Sequence, residues 1–65
     1  MEMVPFIDAS SSSTIYINPL QVLYCTAHSR QTAEGQAQTI ISFLKGRDFT
    51  VLGAVDEVAV KLMAQ

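Results

Sequence analysis

The chain predicts an α+β domain: a small antiparallel β-sheet of four to five strands with one C-terminal α-helix packed on it. Three observations carry this. Thr39–Leu62, TIISFLKGRDFTVLGAVDEVAVKL, reads as strand, tight turn, strand and helix with almost no slack between them. Upstream, TIYIN and LYCTAHS are rich in β-formers and alternate as strands do. Near the end, Val55, Val58, Ala59 and Leu62 recur at the i, i+3, i+4, i+7 spacing of a core-facing helix stripe. With 65 residues there is room for one domain, residues 1–65, in the order β-hairpin, one helical turn, three-strand meander, helix.

Met3–Asp8, MVPFID, is a short apolar run with a proline inside it. Proline has no N–H to give a ladder, so a strand here is an edge or begins after Pro5. Ala9–Ser13, ASSSS, is a polar connector of hairpin length. No glycine allows close backbone approach and no lysine follows, so a solvated hairpin tip is favoured over a phosphate-binding loop. In Thr14–Asn18, Ile15 and Ile17 face one side and Thr14 and Tyr16 the other. Asn18-Pro19 then predicts a helical turn over Pro19–Val22, an asparagine cap followed by proline at the first helical position. Leu20 or Val22 is expected to tuck under the sheet.

Leu23–Ser29 is the third predicted strand, with Leu23, Cys25 and Ala27 on one face and Tyr24, Thr26 and His28 on the other. Arg30–Gln36 is polar, contains Gly35 and reads as a hairpin loop. Gln38–Leu44 and Phe49–Leu52 are strands four and five, joined by a turn at Lys45–Asp48 in which Gly46 is free to take positive φ. This hairpin carries apolar groups on both faces: Ile41, Phe43, Phe49 and Val51 on one, Ile40, Leu44 and Leu52 on the other. A sheet with one wet face should alternate more cleanly, so both faces are expected to be covered. The helix Val55–Ala64 has Asp56 and Glu57 in its first turn and Lys61 in its last, matching the helix dipole. Glu57 is placed for a capping box, but its partner position holds Ala54, which has no hydroxyl. Ala54→Ser is therefore expected to stabilise the fold.

Length and composition bound the function. A domain this small buries about 60% of the surface its unfolded chain exposes, and usually needs disulfides, a metal or oligomerisation. The single cysteine, Cys25, cannot form an internal disulfide, and one histidine with scattered carboxylates is a poor zinc set. No metal and no cofactor are expected. That leaves self-association, which a 49% hydrophobic content favours. Ile40, Leu44 and Leu52, with Val60 and Met63 widening the helix's apolar arc, are the expected oligomer interface. A net charge of −2 with four basic residues, Arg30, Lys45, Arg47 and Lys61, argues against duplex nucleic acid. No apolar run nears the ~20 residues of a membrane span. A free cysteine and no basic-then-apolar leader at the start point to a reducing cytoplasm.

The chain also resembles the FlbD-like small proteins, a family named for flagellar and swarming motility. The matching pieces are Tyr16-Ile17-Asn18-Pro19, Thr39-x-Ile41-x-Phe43-x-x-Gly46, Val51, and Val55-Asp56-Glu57-Val58. The resemblance as a whole covers roughly Phe6 to Met63. Two departures stand out: Ala54 replaces the family's helix-cap serine, and the loop Arg30–Gln36 is longer than usual. The resemblance implies a sheet-plus-helix fold and no catalysis.

His28, Ser29 and Glu34 occur together, but neighbours along a strand point to opposite faces, so no catalytic triad and no enzyme is expected. The alternatives for this stretch are a solvated loop and an anion site. In the second, Arg30 supplies a bidentate donor, Gln31 and Thr32 supply hydrogen bonds, His28 stands at the strand end, and Tyr24 or Tyr16 stacks a base. Lys45 and Arg47 form a second basic pair on the other hairpin tip. The expected function is a non-enzymatic, homo-oligomeric binding or regulatory module acting on a protein or a ligand. The alternative is a phage-type sponge that sequesters an anionic cyclic nucleotide between subunits and so blocks host defence signalling.

Overall fold

A computed structural model describes residues 3–64, so Met1, Glu2 and Gln65 of the expected domain lie outside the described residues. In chain order the elements are β1 (Val4–Ile7), β2 (Thr14–Ile17), a 3-10 turn (Pro19–Gln21), β3 (Val22–Ala27), β4 (Gln38–Phe43), β5 (Asp48–Leu52) and α1 (Val55–Met63). The α+β class and the C-terminal helix are as expected. The single sheet is not: the strands form two antiparallel sheets, β1-β2 and β3-β4-β5, joined by a bridge from Asp8 to Val51. β1 is short and carries Pro5, and at Asp8 the chain turns away, so β1 cannot run the length of β5 as a full ladder partner.

The turn at Asp8 is built by its own side chain. Asp8 Oδ1 accepts from both the N–H and the Oγ of Ser10 at 2.9 Å, and Ser12 takes a left-handed φ of 59°. The Ser10 N–H is the largest cause holding the Asp8 carboxyl below its ordinary value of 3.8. A carboxylate with a lowered folded pKa contributes stability above its unfolded pKa, and that stability is lost as pH falls through the folded value. Urea melts between about pH 5 and pH 2 should therefore show a steeper loss for the wild type than for Asp8→Ala. Parallel slopes would count against this role.

The register sorts the three-stranded sheet into two unlike faces. Cys25 pairs with Ile41 and Ala27 with Thr39, while Thr39 pairs with Val51 and Ile41 with Phe49. This face is covered. Val4, Phe6 and Ile17 of the hairpin and Val58 of α1 join Ile41 and Val51 in one buried core. The opposite face carries Tyr24, Thr26, Gln38, Ile40, Ser42, Asp48, Thr50 and Leu52. Both faces were expected to be covered. Within the described residues only one is, because β1-β2 and α1 share the same side. The open face is largely polar, and Ser42 Oγ donates to Asp48 Oδ1 on it at 2.9 Å.

One local expectation is also corrected. A register shift between Val22 and Tyr24 takes Leu23 out of the face it was expected to share with Cys25. Of the two residues expected to tuck under the sheet, Val22 does so and packs against the core, while Leu20 stays exposed. Asn18 Oδ1 accepts the Leu20 N–H at 3.0 Å, which is the expected cap of the short turn. Gly46 has φ +83°, and Phe43 N–H donates to Arg47 O at 2.8 Å to close the β4-β5 turn.

The helix starts with half a capping box. Glu57 Oε1 accepts the Ala54 N–H at 3.4 Å, but Ala54 has no oxygen to return to the Glu57 amide. Its backbone is already extended, φ −71° and ψ 148°, as a cap residue requires. Ala54→Ser should add about 1 kcal/mol, a rise of roughly 4–8 °C in a thermal melt. A flat or lower Tm would contradict this cap. At the other end of the helix, Lys61 Nζ donates to Pro5 O at 2.9 Å and lies 4.6 Å from the centre of the Phe6 ring, tying α1 to β1.

Candidate functional site

The two basic regions singled out in the sequence end up at opposite ends of the sheet. The loop after β3 and the turn after β4 are separated by the length of β4, six residues or about 20 Å. At the first end, the loop spends its polar groups on itself. Arg30 N–H donates to His28 Nδ1 at 3.0 Å. Gln38 Nε2 donates to Arg30 O at 3.2 Å. Thr32 Oγ1 accepts from Gln36 N–H at 3.0 Å, and His28 and Thr32 are half-buried. Arg30 and Gln31 are exposed, and Tyr24 sits apart on the open face of the sheet.

The second end holds an open groove of about 690 Å³ between β2 and the β4-β5 turn. Phe43 and Phe49 form its apolar wall, their rings edge to face with centroids 5.6 Å apart. Tyr16 and Met3 contribute from the hairpin, Asn18 and Gln21 from the 3-10 turn, and Lys45 and Arg47 from the tip of the β4-β5 hairpin. Among the described residues, none that lines it is acidic. The neighbouring acid, Asp48, is on the opposite face of β5 from Phe49 and accepts from Ser42. The groove therefore offers planar apolar surface, amide groups and two cations, with no carboxylate among the described lining residues. That combination suits a ligand with a flat ring and a negative charge: ring on the aromatics, charge on the basic pair.

Lys45 and Arg47 were legible as a basic tip; the aromatic wall was not read as a site. Phe43 and Phe49 did fall on one face by alternation, and that was the available signal. Tyr16, Asn18 and Gln21 reach the groove only because the 3-10 turn folds β2 against the β4-β5 hairpin, with Leu44 N–H donating to Gln21 O at 2.9 Å.

A second cleft, of about 580 Å³, lies against α1 and is lined by Phe6, Leu52, Asp56, Glu57, Val60 and Lys61, among others. Two of its polar groups are already used: Glu57 on Ala54, Lys61 on Pro5. The five expected interface residues are spread out. Ile40 is on the open face, Leu44 in the β4-β5 turn, Leu52 and Val60 in this cleft, and Met63 at the exposed end of α1. Among the described residues no three His, Cys, Asp or Glu side chains cluster as a metal set, and no helix is long and apolar enough to cross a membrane. Comparison with protein-family models, with curated proteins and with solved structures returns no match.

Proposed function

We propose that this chain is a non-enzymatic binding module, assembled from copies of itself in the cytoplasm, whose β2/β4-β5 groove takes a small organic anion carrying a planar ring. The ligand class is nucleotide-like. One observation carries the reading: an acidic chain with four basic residues directs two of them, Lys45 and Arg47, to a single aromatic groove with no carboxylate among its described lining residues. Cys25 is a free thiol, in keeping with a reducing compartment. The segments that resemble FlbD-like proteins, Tyr16 to Pro19 and Thr39 to Gly46, supply much of the groove wall, so the family reading and the binding reading belong to one proposal. A groove whose described lining has cations and rings but no carboxylate, histidine or cysteine suits holding a ligand rather than turning it over. The use that fits is sequestration, as in a phage-type sponge that withholds a cyclic nucleotide signal from a host defence system.

The test is isothermal titration at low salt with a panel of mononucleotides, cyclic di- and trinucleotides and ADP-ribose, with chromatography of the recovered ligand. Saturable binding of at least one member, returned unchanged, supports the proposal. Absence of binding across the panel overturns the ligand class, and a converted ligand overturns the non-enzymatic reading.

A further inference from the structure

We infer that the outer edge of β3 is the self-association seam: a second copy of this chain pairs its own β3 there, antiparallel across a two-fold axis, and extends the three-stranded sheet to six strands. This rests on the reading that the chain self-associates, and names the place. The ladder phase supplies the first argument. His28 N–H donates to Gln38 O at 3.0 Å, and Thr26 and Tyr24 follow at alternate positions opposite Ile40 and Ser42. Antiparallel alternation then turns the backbone N–H and C=O of Cys25 and Ala27 away from β4, toward the open edge.

The second argument is what this edge lacks. Natural sheets protect a free edge with lysine, proline or a covering segment. VLYCTA has neither residue and no charge, and four of its six residues are exposed. The register shift that twists the strand is confined to Val22–Tyr24, and pairing is regular from Tyr24 to Ala27. The other edge of the same sheet is closed by the chain itself: Ala9 N–H donates to Thr50 O at 2.9 Å, beside the Asp8–Val51 bridge. Among the described residues one edge is covered and its counterpart is left open.

The third argument concerns the occupant. Leu20, Leu23, Tyr24 and Leu44 are 64%, 61%, 54% and 57% exposed, and the bond from Leu44 N–H to Gln21 O draws them together at the start of β3. A strand that carries no charge meets its own copy without like-charge repulsion along its length, and the two-fold axis sets the apolar start of β3 beside the far end of the partner's strand in both subunits at once. A 65-residue chain gains most from such a partner, because its own core leaves it marginal.

The test combines light scattering with amide hydrogen exchange of the full chain. The wild type should show twice the 7.1 kDa chain mass, with the Cys25 and Ala27 amides protected by about a hundredfold or more over open-edge rates. Ala27→Pro removes an outward N–H and no β4 bond, so it should give a folded 7.1 kDa monomer in which the Cys25 amide exchanges freely. Thr26→Lys, which keeps every backbone donor and adds charge beside the seam, should shift the mass toward monomer in the same way. A dimer whose Cys25 and Ala27 amides exchange fast overturns the seam and leaves self-association standing. A monomeric wild type at about 100 µM, far above the Kd of a standard-sized interface, overturns both, while nucleotide binding by that monomer leaves the groove reading intact.

Discussion

Ile41→Ala should come close to unfolding the domain at room temperature. Ile41 is fully buried at the centre of β4, with Cys25 and Phe49 opposite it on the flanking strands. It is where the hairpin, the sheet and the helix meet in one core. Truncating a buried isoleucine to alanine costs about 2–5 kcal/mol, counting lost transfer energy and the cavity left behind. A chain of this length has roughly 3–10 kcal/mol in all, so the substitution removes from about a fifth of its stability to all of it. Urea denaturation should show the midpoint falling toward zero denaturant, and Ile41→Val should lose only about 0.5–1.5 kcal/mol. The neighbouring Ile40→Ala serves as the register control. Ile40 is half-buried on the open face, and a one-residue slip of β4 would exchange the two roles. If Ile40→Ala proves the more damaging of the two, the register and the placement of the core are both wrong.

That contrast also marks how far the fold was legible. The turn at Gly46, the cap at Asn18 and the stripe of α1 are local: each is decided by a few neighbouring residues and can be read from them. The distribution of layers is not. Apolar residues on both faces of β4-β5 were read as a demand for two covers. In the structure β1-β2 and α1 share one face, and the other is made tolerable by Thr26, Thr50, Ser42 and Asp48, whose grouping depends on pairing with strands far away in sequence. Thr39 shows the same limit. A threonine counts as neutral in a pattern, yet this one is fully buried, its hydroxyl donating to Gly53 O at 2.9 Å. Of the candidate site, the charges of Lys45 and Arg47 were readable, because a hairpin tip is local. Their partnership with Tyr16 and Phe49 was not, because it forms only when the 3-10 turn brings two hairpins together.

Replacing Lys45 and Arg47 together by glutamate should abolish binding of the nucleotide-class ligand while leaving the fold in place. Both side chains are exposed in the β4-β5 tip, where surface substitutions away from caps and glycines usually change stability by about 0.5 kcal/mol or less. For the ligand the change is far larger. Each hydrogen bond from a charged donor to an anion contributes about 1.5–3 kcal/mol, so losing two amounts to roughly 3–6 kcal/mol, a hundred- to ten-thousandfold in Kd. Two new carboxylates facing the ligand's charge add repulsion that raising the salt would partly screen. Arg30→Glu is the discriminating control. Arg30 lies at the far end of β4, about 20 Å away, in a loop whose hydrogen bonds close on themselves. The charge change of that variant is of the same kind, yet across two Debye lengths it should move Kd by about threefold or less at physiological salt. Titration of the same ligand into the two variants decides between the two ends of the molecule. Binding lost in Arg30→Glu and kept in the Lys45→Glu/Arg47→Glu variant would move the site to the β3-β4 loop and remove the aromatic groove from the account.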